Sequence, residues 1–161
     1  MTVEEYNKSI DLYADGIYRF ALKTLKDQEK AKDTVQDTYE KLWVKHDDVS
    51  YEKVKSYLFT TAYHTSIDLI RKEKKKVEYE STPTIDTAHF EQYSDIREIL
   101  NKAVELLPEI QKSVLLLRDY EGYSYEEVGE ITGLNESQVK VYIFRARLFL
   151  KNYLVSIENV I

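Results

Sequence analysis

Apolar residues recur every three or four positions along most of this chain, and almost no stretch alternates apolar with polar residues. The first spacing is that of one face of an α-helix, whereas alternation would indicate a β-strand. Only four glycines and two prolines interrupt the pattern in 161 residues. The pattern therefore predicts an all-α fold.

Three helical regions are predicted in the N-terminal part. Thr2 and Glu5 form a capping box that starts the first helix, which runs to a break near Lys26. Asp27 is the expected N-cap of a second helix over residues 28 to 45. The expected buried positions are Ile10, Ala14, Ile17, Ala21 and Leu25 in the first helix, and Ala31, Val35, Thr38 and Leu42 in the second. A third region, about 51 to 75, is rich in aromatic residues and ends in a basic run.

The C-terminal part carries two helix-start signals with a glycine turn between them. Ser124 and Glu127 form one capping box, and Asn135 and Gln138 form another. Gly133 supplies the left-handed residue that ends the first of these helices. Two helices with such a short connection are the signature of a helix-turn-helix, whose second helix lies in the major groove of DNA.

The second of these helices, which starts at Glu136, has an apolar stripe and a mixed outer face. The stripe consists of Val139, Ile143, Ala146 and Leu150, and the outer face of Ser137, Lys140, Val141, Phe144, Arg145 and Leu148. Apolar side chains beside cations suit a surface that reads thymine methyl groups and guanine. The alternative is an ordinary helical hairpin whose second helix docks on protein, since this geometry also occurs without DNA.

Composition excludes several classes of site. The chain has no cysteine, and its histidines, His46, His64 and His89, lack metal-ligand spacing, so we expect neither a metal nor another cofactor. Its start lacks the features of a signal peptide, and the longest aliphatic run, Val114 to Leu117, is too short to span a bilayer. We therefore expect a cytoplasmic protein that does not insert into a membrane.

A formal net charge of −6 is unusual for a nucleic-acid binder, because contacts to phosphate normally dominate affinity. The charge is unevenly distributed, however. Residues 71 to 76 read RKEKKK, and the segment 140 to 151 carries four cations and no acid. Such a protein is expected to bind DNA weakly alone and better when a partner supplies positive surface.

A break in the helical pattern divides the chain. Residues 77 to 94 contain Pro83 and a cluster of Ser, Thr and acidic residues without an apolar stripe, which predicts a flexible tether. The tether separates two small helical domains, residues 1 to 76 and 95 to 161. The second domain is expected to begin with a helix over about 95 to 107 and a helix starting at Pro108, with Gly122 at its end.

This organisation resembles the extracytoplasmic-function (ECF) sigma factors of bacterial RNA polymerase. Residues 17 to 45 resemble the family's polymerase-binding helix pair, and residues 54 to 76 its promoter-melting segment. Residues 107 to 150 resemble the domain that reads the upstream promoter element. The resemblance covers nearly the whole chain. It implies a factor that binds core RNA polymerase and promoter DNA and directs transcription initiation from a subset of promoters.

The resemblance also implies three groups of site residues. The polymerase-binding group is Asp33, Gln36, Asp37, Glu40 and Trp43. The melting group is Tyr57, Phe59, Tyr63, His64, Arg71, Lys72, Lys74, Lys75 and Lys76, in which aromatic rings stack on unpaired bases and cations hold phosphates. The recognition-helix group is Ser137, Gln138, Lys140, Val141, Phe144, Arg145 and Arg147, with Arg147 nearer a phosphate or a structural ion pair.

The chain departs from the family pattern at three of these positions. His64 stands where most relatives carry Asn in or beside the pocket for a flipped base, so the base preference is open. Tyr57 replaces a common Trp and keeps an aromatic ring. Gln138 replaces a usual Thr. The Gln side chain can still cap the helix, but it alters any phosphate contact made at this position.

Two other functions compete with this interpretation. An enzyme is disfavoured because the chain has no glycine-rich phosphate loop, no H-E-x-x-H motif and no cysteine nucleophile. A stand-alone helix-turn-helix regulator has no need of the basic and aromatic third region, whereas an initiation factor does. An anti-sigma factor is implied as a partner by the habit of the family alone, since no residue identifies one.

Overall fold

A computed structural model describes residues 1 to 80 and 96 to 158 of the chain. Throughout these two ranges the secondary structure is helical, without a strand, which confirms the predicted all-α class. The helices are α1 (Val3–Leu25), α2 (Gln28–Val44), α3 (Val54–Glu80), α4 (Ile96–Glu105), α5 (Glu109–Leu115), α6 (Tyr125–Thr132) and α7 (Glu136–Glu158). A 3₁₀ turn, Tyr51–Lys53, precedes α3, and a π-helical segment, Leu116–Tyr120, continues α5.

The predicted caps fix the ends of the first two helices. The Thr2 hydroxyl accepts from the Glu5 amide at 3.1 Å while the Glu5 carboxylate accepts from the Thr2 amide at 2.9 Å. Lys26 ends α1 in the left-handed conformation, with φ of 59°. The Asp27 carboxylate then accepts from the Lys30 amide at 3.1 Å and starts α2. Side-chain acceptors thus satisfy amides that have no partner within the helix.

Helices α1, α2 and α3 pack on one another around Ile17, Phe20, Leu42 and Leu58, all of which are buried. The prediction that Ile10 is buried was wrong, because this side chain is 38% exposed.

Tyrosine hydrogen bonds explain why a different face of the first turns of α1 is buried. Tyr39 of α2 donates its hydroxyl to the Ser9 carbonyl at 2.8 Å, and Tyr6 donates to the Tyr39 carbonyl at 3.0 Å. The buried line of α1 therefore passes through Tyr6 and Ser9, and Ile10 turns outward.

The helix-turn-helix forms as predicted. The Ser124 hydroxyl accepts from the Glu127 amide at 3.1 Å, and Gly133 ends α6 with φ of 80°. The Asn135 side chain accepts from the Gln138 amide at 2.8 Å and starts α7. On α7 the expected stripe is buried at Val139, Ile143 and Ala146 and partly buried at Leu150, whereas the predicted outer face is exposed.

One helix end differs from the sequence prediction. Helix α3 continues to Glu80, four residues into the predicted tether of residues 77 to 94, and the remainder of that tether lies outside the described residues. Helix α7, for which the sequence analysis placed only the start, ends at Glu158.

The N-terminal half, residues 1 to 80, and the C-terminal half, residues 96 to 158, share a common core. Helix α3 contacts α6, and α1 contacts α5. At the centre of this contact Phe59 of α3 lies between Phe20 and Tyr123, with ring centroids 6.1 and 5.5 Å away.

Gly129 sets how closely α6 approaches the turn, because a Cβ atom there would lie 2.8 Å from the Leu134 carbonyl oxygen. Gly129→Ala should therefore destabilise the protein, although alanine favours a helix by about 1 kcal/mol over glycine. Overpacking against backbone costs about 1 to 3 kcal/mol. Urea unfolding should show a lower midpoint, with the exposed neighbour Glu130→Ala as the control. An alanine variant as stable as the original chain would contradict this role of Gly129.

Candidate nucleic-acid and polymerase interface

The predicted polymerase-binding residues of α2 lie together on one exposed face. Asp33, Gln36 and Glu40 are exposed, and Asp37 is partly exposed. The Gln36 amide donates to the Glu40 carboxylate at 3.4 Å, which holds the two side chains side by side. Helical spacing of three and four residues accounts for this alignment.

This acidic face forms one wall of a groove of about 450 Å³ between α2 and α3. The opposite wall is formed by Thr65, Asp68, Leu69 and Lys72 of α3. Asp37 is contacted from its own helix and from α3. Lys41 of α2 lies 3.0 Å from its carboxylate, and the Thr65 hydroxyl of α3 donates to the carboxylate at 3.5 Å. The groove thus carries mostly negative charge, with cations at its edges.

Trp43 is 45% exposed near the end of α2. Its ring stacks on His46 at 4.6 Å between centroids and meets the edge of Tyr6 at 5.1 Å. Trp43 therefore has one supported face and one open face, an arrangement that suits an aromatic contact to a partner.

The basic run of α3 is exposed from Arg71 to Lys76. Within the run, Glu73 pairs with Lys30 of α2, which offsets its negative charge. Glu109 of α5 lies 4.0 Å from Lys74 and reduces the positive field there. The remaining cations, Arg71, Lys72, Lys75 and Lys76, project along the last turns for which side chains are described.

The four predicted melting residues with rings divide into two pairs. His64 is exposed, and Tyr57 is partly exposed between two grooves. Phe59 and Tyr63 are instead buried, at 1% and 7% exposure. Burial, followed by the negative charge of Glu109, raises the pKa of the Tyr63 hydroxyl. In this arrangement the second pair cannot reach a base, because both side chains are buried and Tyr123 of the C-terminal half lies against Phe59.

The recognition helix α7 presents four predicted contacts on one open surface. Lys140, Val141, Phe144 and Arg145 are exposed, with Phe144 at 66%. Lys140 lies 3.3 Å from Glu136, whereas Arg145 has no ion-pair partner among the described residues. An open Arg beside apolar side chains can meet both guanine and thymine edges.

The other three predicted residues of α7 differ in the contacts that their side chains make within the chain. Ser137 is exposed. The Gln138 side chain accepts from the Asn135 amide at 3.0 Å, so it completes the cap of α7. Arg147 binds Asp119 with both Nε and Nη2, at 3.1 and 2.6 Å, which favours the structural ion pair over a phosphate contact. This bidentate bond raises the pKa of Arg147.

Tyr125 is a feature of this surface that the sequence analysis missed. Its ring lies under Arg118 at 4.7 Å and near Lys140 at 5.7 Å, and it lines a groove of about 520 Å³ with Val141 and Phe144. No sequence signal marked it, because the residues around it are brought together by the angle between α6 and α7.

Two further properties of the described ranges bear on the kind of site. None of the helices placed by the structure combines the length and apolar composition needed to cross a membrane. Within residues 1 to 80 and 96 to 158, no three His, Asp or Glu side chains converge in a way that could hold a metal ion.

Comparison with known proteins matches both halves to families. Residues 10 to 76 match the family described as Sigma-70 region 2, and residues 97 to 150 match Sigma-70, region 4. The chain is 30% identical to the ECF RNA polymerase sigma factor SigM of Bacillus subtilis over 159 residues, which cover 94% of each chain. It is 33% identical to RNA polymerase sigma factor SigV of the same organism, over 83% of this chain and 81% of the relative.

A solved structure is similar over both halves. The sigma factor RpoE of Bartonella quintana, in complex with the anti-sigma factor NepR, has a TM-score of 0.81 with this chain. The two are 26% identical, and the match covers 94% of this chain and 98% of the other.

The chain belongs to the ECF sigma factors of RNA polymerase. It directs promoter-specific transcription initiation, with core polymerase and promoter DNA as its partners. A stand-alone helix-turn-helix regulator is not favoured, because region 2 accompanies region 4 in one chain.

The Asp119–Arg147 pair should position α7 rather than touch DNA. Asp119→Asn should therefore weaken promoter binding by the polymerase complex, although removing an acid near DNA would by itself strengthen it. The swap of Asp119→Arg with Arg147→Asp should recover part of the affinity lost in Arg147→Asp alone. Filter binding over a range of salt checks both. If Arg147 contacts a phosphate, its loss should lower the salt slope by about 0.9 and the swap should recover nothing.

Proposed function

We propose that residues 1 to 76 bind core polymerase and melt promoter DNA, that residues 77 to 94 connect the domains, and that residues 95 to 161 read the upstream promoter element. The observation that carries this proposal is the open surface of α7, where exposed Val141 and Phe144 lie beside Lys140 and Arg145. A helix-turn-helix presents such a face to the major groove.

The polymerase contact is the acidic face of α2. Asp33, Gln36, Asp37 and Glu40 are aligned along one groove, and Trp43 extends the same helix with an open aromatic face. An acidic and amide surface is complementary to a basic helical surface on the polymerase. Complementary charge of this kind contributes mainly to partner selection and to the association rate.

The melting surface is α3. Arg71, Lys72, Lys75 and Lys76 hold the phosphates, and Tyr57 and His64 are accessible to bases in the observed arrangement. Phe59 and Tyr63 join them only after the C-terminal half moves away, since both are now buried. Stacking on an aromatic ring contributes about 1 to 3 kcal/mol per base.

Upstream recognition combines α6 and α7. Lys140, Val141, Phe144 and Arg145 meet base edges, while Ser137 and Gln138 lie at the start of α7 near the backbone. The net charge of −6 limits the affinity of the chain alone for DNA, so polymerase must supply much of the phosphate contact. The chain acts in the cytoplasm and performs no catalysis itself.

An anti-sigma factor is a further partner in this proposal. Its support is the similarity over both halves to RpoE, which was solved in complex with the anti-sigma factor NepR.

Reversing one charge on the acidic face should separate polymerase binding from folding. Asp37→Lys should weaken binding to core polymerase by about tenfold or more, because like charges across an interface cost several kcal/mol. Titration of core polymerase with labelled chain measures this. Asp11→Lys, an exposed acid on α1, is the matched control and should bind normally. Equal binding by all three chains would rule out the α2 face as the contact.

Arg145 should contribute sequence discrimination. If it binds guanine with both of its outer nitrogens, Arg145→Ala should weaken promoter binding by about 1 to 3 kcal/mol and relax the preference at a single base pair. Competition between promoter variants, with each position of the upstream element changed in turn, measures this. A loss spread evenly over all sequences would instead indicate a phosphate contact.

A further inference from the structure

His46 lies in the turn that follows α2, and its ring covers one face of Trp43. The two rings are nearly parallel, with 15° between their planes and 4.6 Å between their centroids. The imidazole Nδ1 lies 2.6 Å from the Trp43 carbonyl oxygen. Because a carbonyl oxygen only accepts, Nδ1 carries a hydrogen and donates to it. One side chain therefore both stacks on the indole and binds the backbone of the same residue.

The turn that carries His46 is itself bonded to two other parts of the chain. The His46 amide donates to the Trp43 carbonyl at 3.3 Å, which ties the turn to the end of α2. The ammonium group of Met1 donates to the His46 carbonyl at 2.8 Å and to the Val49 carbonyl at 3.2 Å. These backbone bonds fix the place from which the imidazole reaches the indole.

The Trp43 ring is also contacted from α1. Tyr6 lies edge-on to it, with the ring centroids 5.1 Å apart, and the Tyr6 hydroxyl is anchored by donating to the Tyr39 carbonyl at 3.0 Å. Without such contacts, a side chain at the exposed end of a helix populates several rotamers. His46 and Tyr6 together restrict the indole, while Trp43 stays 45% exposed.

A restricted but exposed ring is suited to binding a partner. A side chain that becomes ordered only on binding lowers the affinity by about two- to tenfold. A ring that is already held in the free chain avoids this cost. Trp43 extends the acidic face of α2, so it is the side chain of the proposed polymerase contact for which this saving applies.

His46 also carries a charge that depends on pH. Its Nε2 lies 3.3 Å from a carboxylate oxygen of Asp47. Both ring nitrogens thus face acceptors, and the protonated imidazole, which donates from both, is complementary to them. A cation on the face of an indole is attracted by the negative face of the ring. Protonation of His46 therefore tightens its contact with Trp43.

We propose that His46 is a positioning residue for polymerase binding, which holds the indole of Trp43 in its binding orientation and holds it more firmly when the imidazole is protonated. The effect on polymerase rests on the proposed contact of Trp43. The contact between the two rings does not, and it can be measured in the free chain.

The first test uses the fluorescence of Trp43, the only tryptophan of the chain. A stacked imidazolium quenches indole emission, so emission should fall as the pH is lowered from about 8 to about 5, where imidazole titrates. His46→Phe keeps a stacked ring and should abolish this fall. The variant also retains the other titratable groups around the ring, which are Asp47, Tyr6 and the Met1 ammonium. In His46→Ala the indole should move more freely, which a faster decay of fluorescence anisotropy detects.

The second test measures binding by titrating core polymerase with labelled chain. His46→Ala should weaken binding by about two- to tenfold, whereas His46→Phe should retain most of the affinity because it still stacks. His46→Gln can donate to the Trp43 carbonyl but cannot stack, so it should bind like the alanine variant. In a chain that already carries Trp43→Ala, His46→Ala should cause no further loss. Asn7→Ala, an exposed position on α1, is the control and should bind normally.

Three results would overturn the proposal. His46→Gln could restore binding where His46→Phe does not, which would make His46 only a cap of α2. His46→Ala could weaken binding equally with and without Trp43, or emission could fall with pH in His46→Phe as it does in the original chain. Normal polymerase binding by Trp43→Ala would instead refute the proposed contact, and with it the effect on polymerase. Emission and anisotropy would still decide whether His46 holds the indole.

Discussion

Phe59 belongs to two cores at once, and the arrangement of the two halves depends on this. Its ring packs on Phe20 inside the N-terminal half and on Tyr123 of the C-terminal half. Small helical domains bury little apolar surface by themselves, so a side chain that can serve both is thermodynamically useful. In the proposed function the same helix also supplies rings to unpaired bases. One surface of α3 is therefore subject to two demands that cannot be met together.

Charge is segregated in a way that fits a factor that works only in a larger assembly. Acids line the face of α2 and the groove beside it, whereas cations are concentrated on the end of α3 and on α7. Some of those cations are already engaged within the chain, as Arg147 is by Asp119 and Lys74 by Glu109. The exposed cations that stay available for phosphate lie on these two helices, and the net charge of −6 predicts that the chain binds DNA weakly alone.

Local chemistry made much of the fold predictable from the sequence. The capping boxes at Thr2, Ser124 and Asn135, and the glycine at 133, involve residues at most three positions apart, so their spacing alone specified the helix ends. The exposed face of α7 followed from helical periodicity in the same way. The prediction that Ile10 is buried was wrong because tyrosine hydrogen bonds determine which face of α1 is buried, and the spacing of apolar residues does not include them.

The parts of the site that could not be predicted depend on contacts between distant segments. Phe59 and Tyr63 have the residue types of a melting surface, and nothing near them in sequence shows that Tyr123 lies against Phe59 or that Tyr63 is buried. Tyr125 and Asp119 were missed for the same reason. A resemblance to a family assigns roles to positions, but it does not state which conformation exposes them.

Hydroxyl-radical footprinting of Phe59 and Tyr123 tests most directly whether the melting surface is covered until polymerase binds. Oxidation of both rings should be low in the free chain and should rise when core polymerase is added without DNA. Adding promoter DNA should then protect Phe59 and leave Tyr123 reactive. Rings that are already reactive in the free chain, or that stay protected in the polymerase complex, would contradict this account.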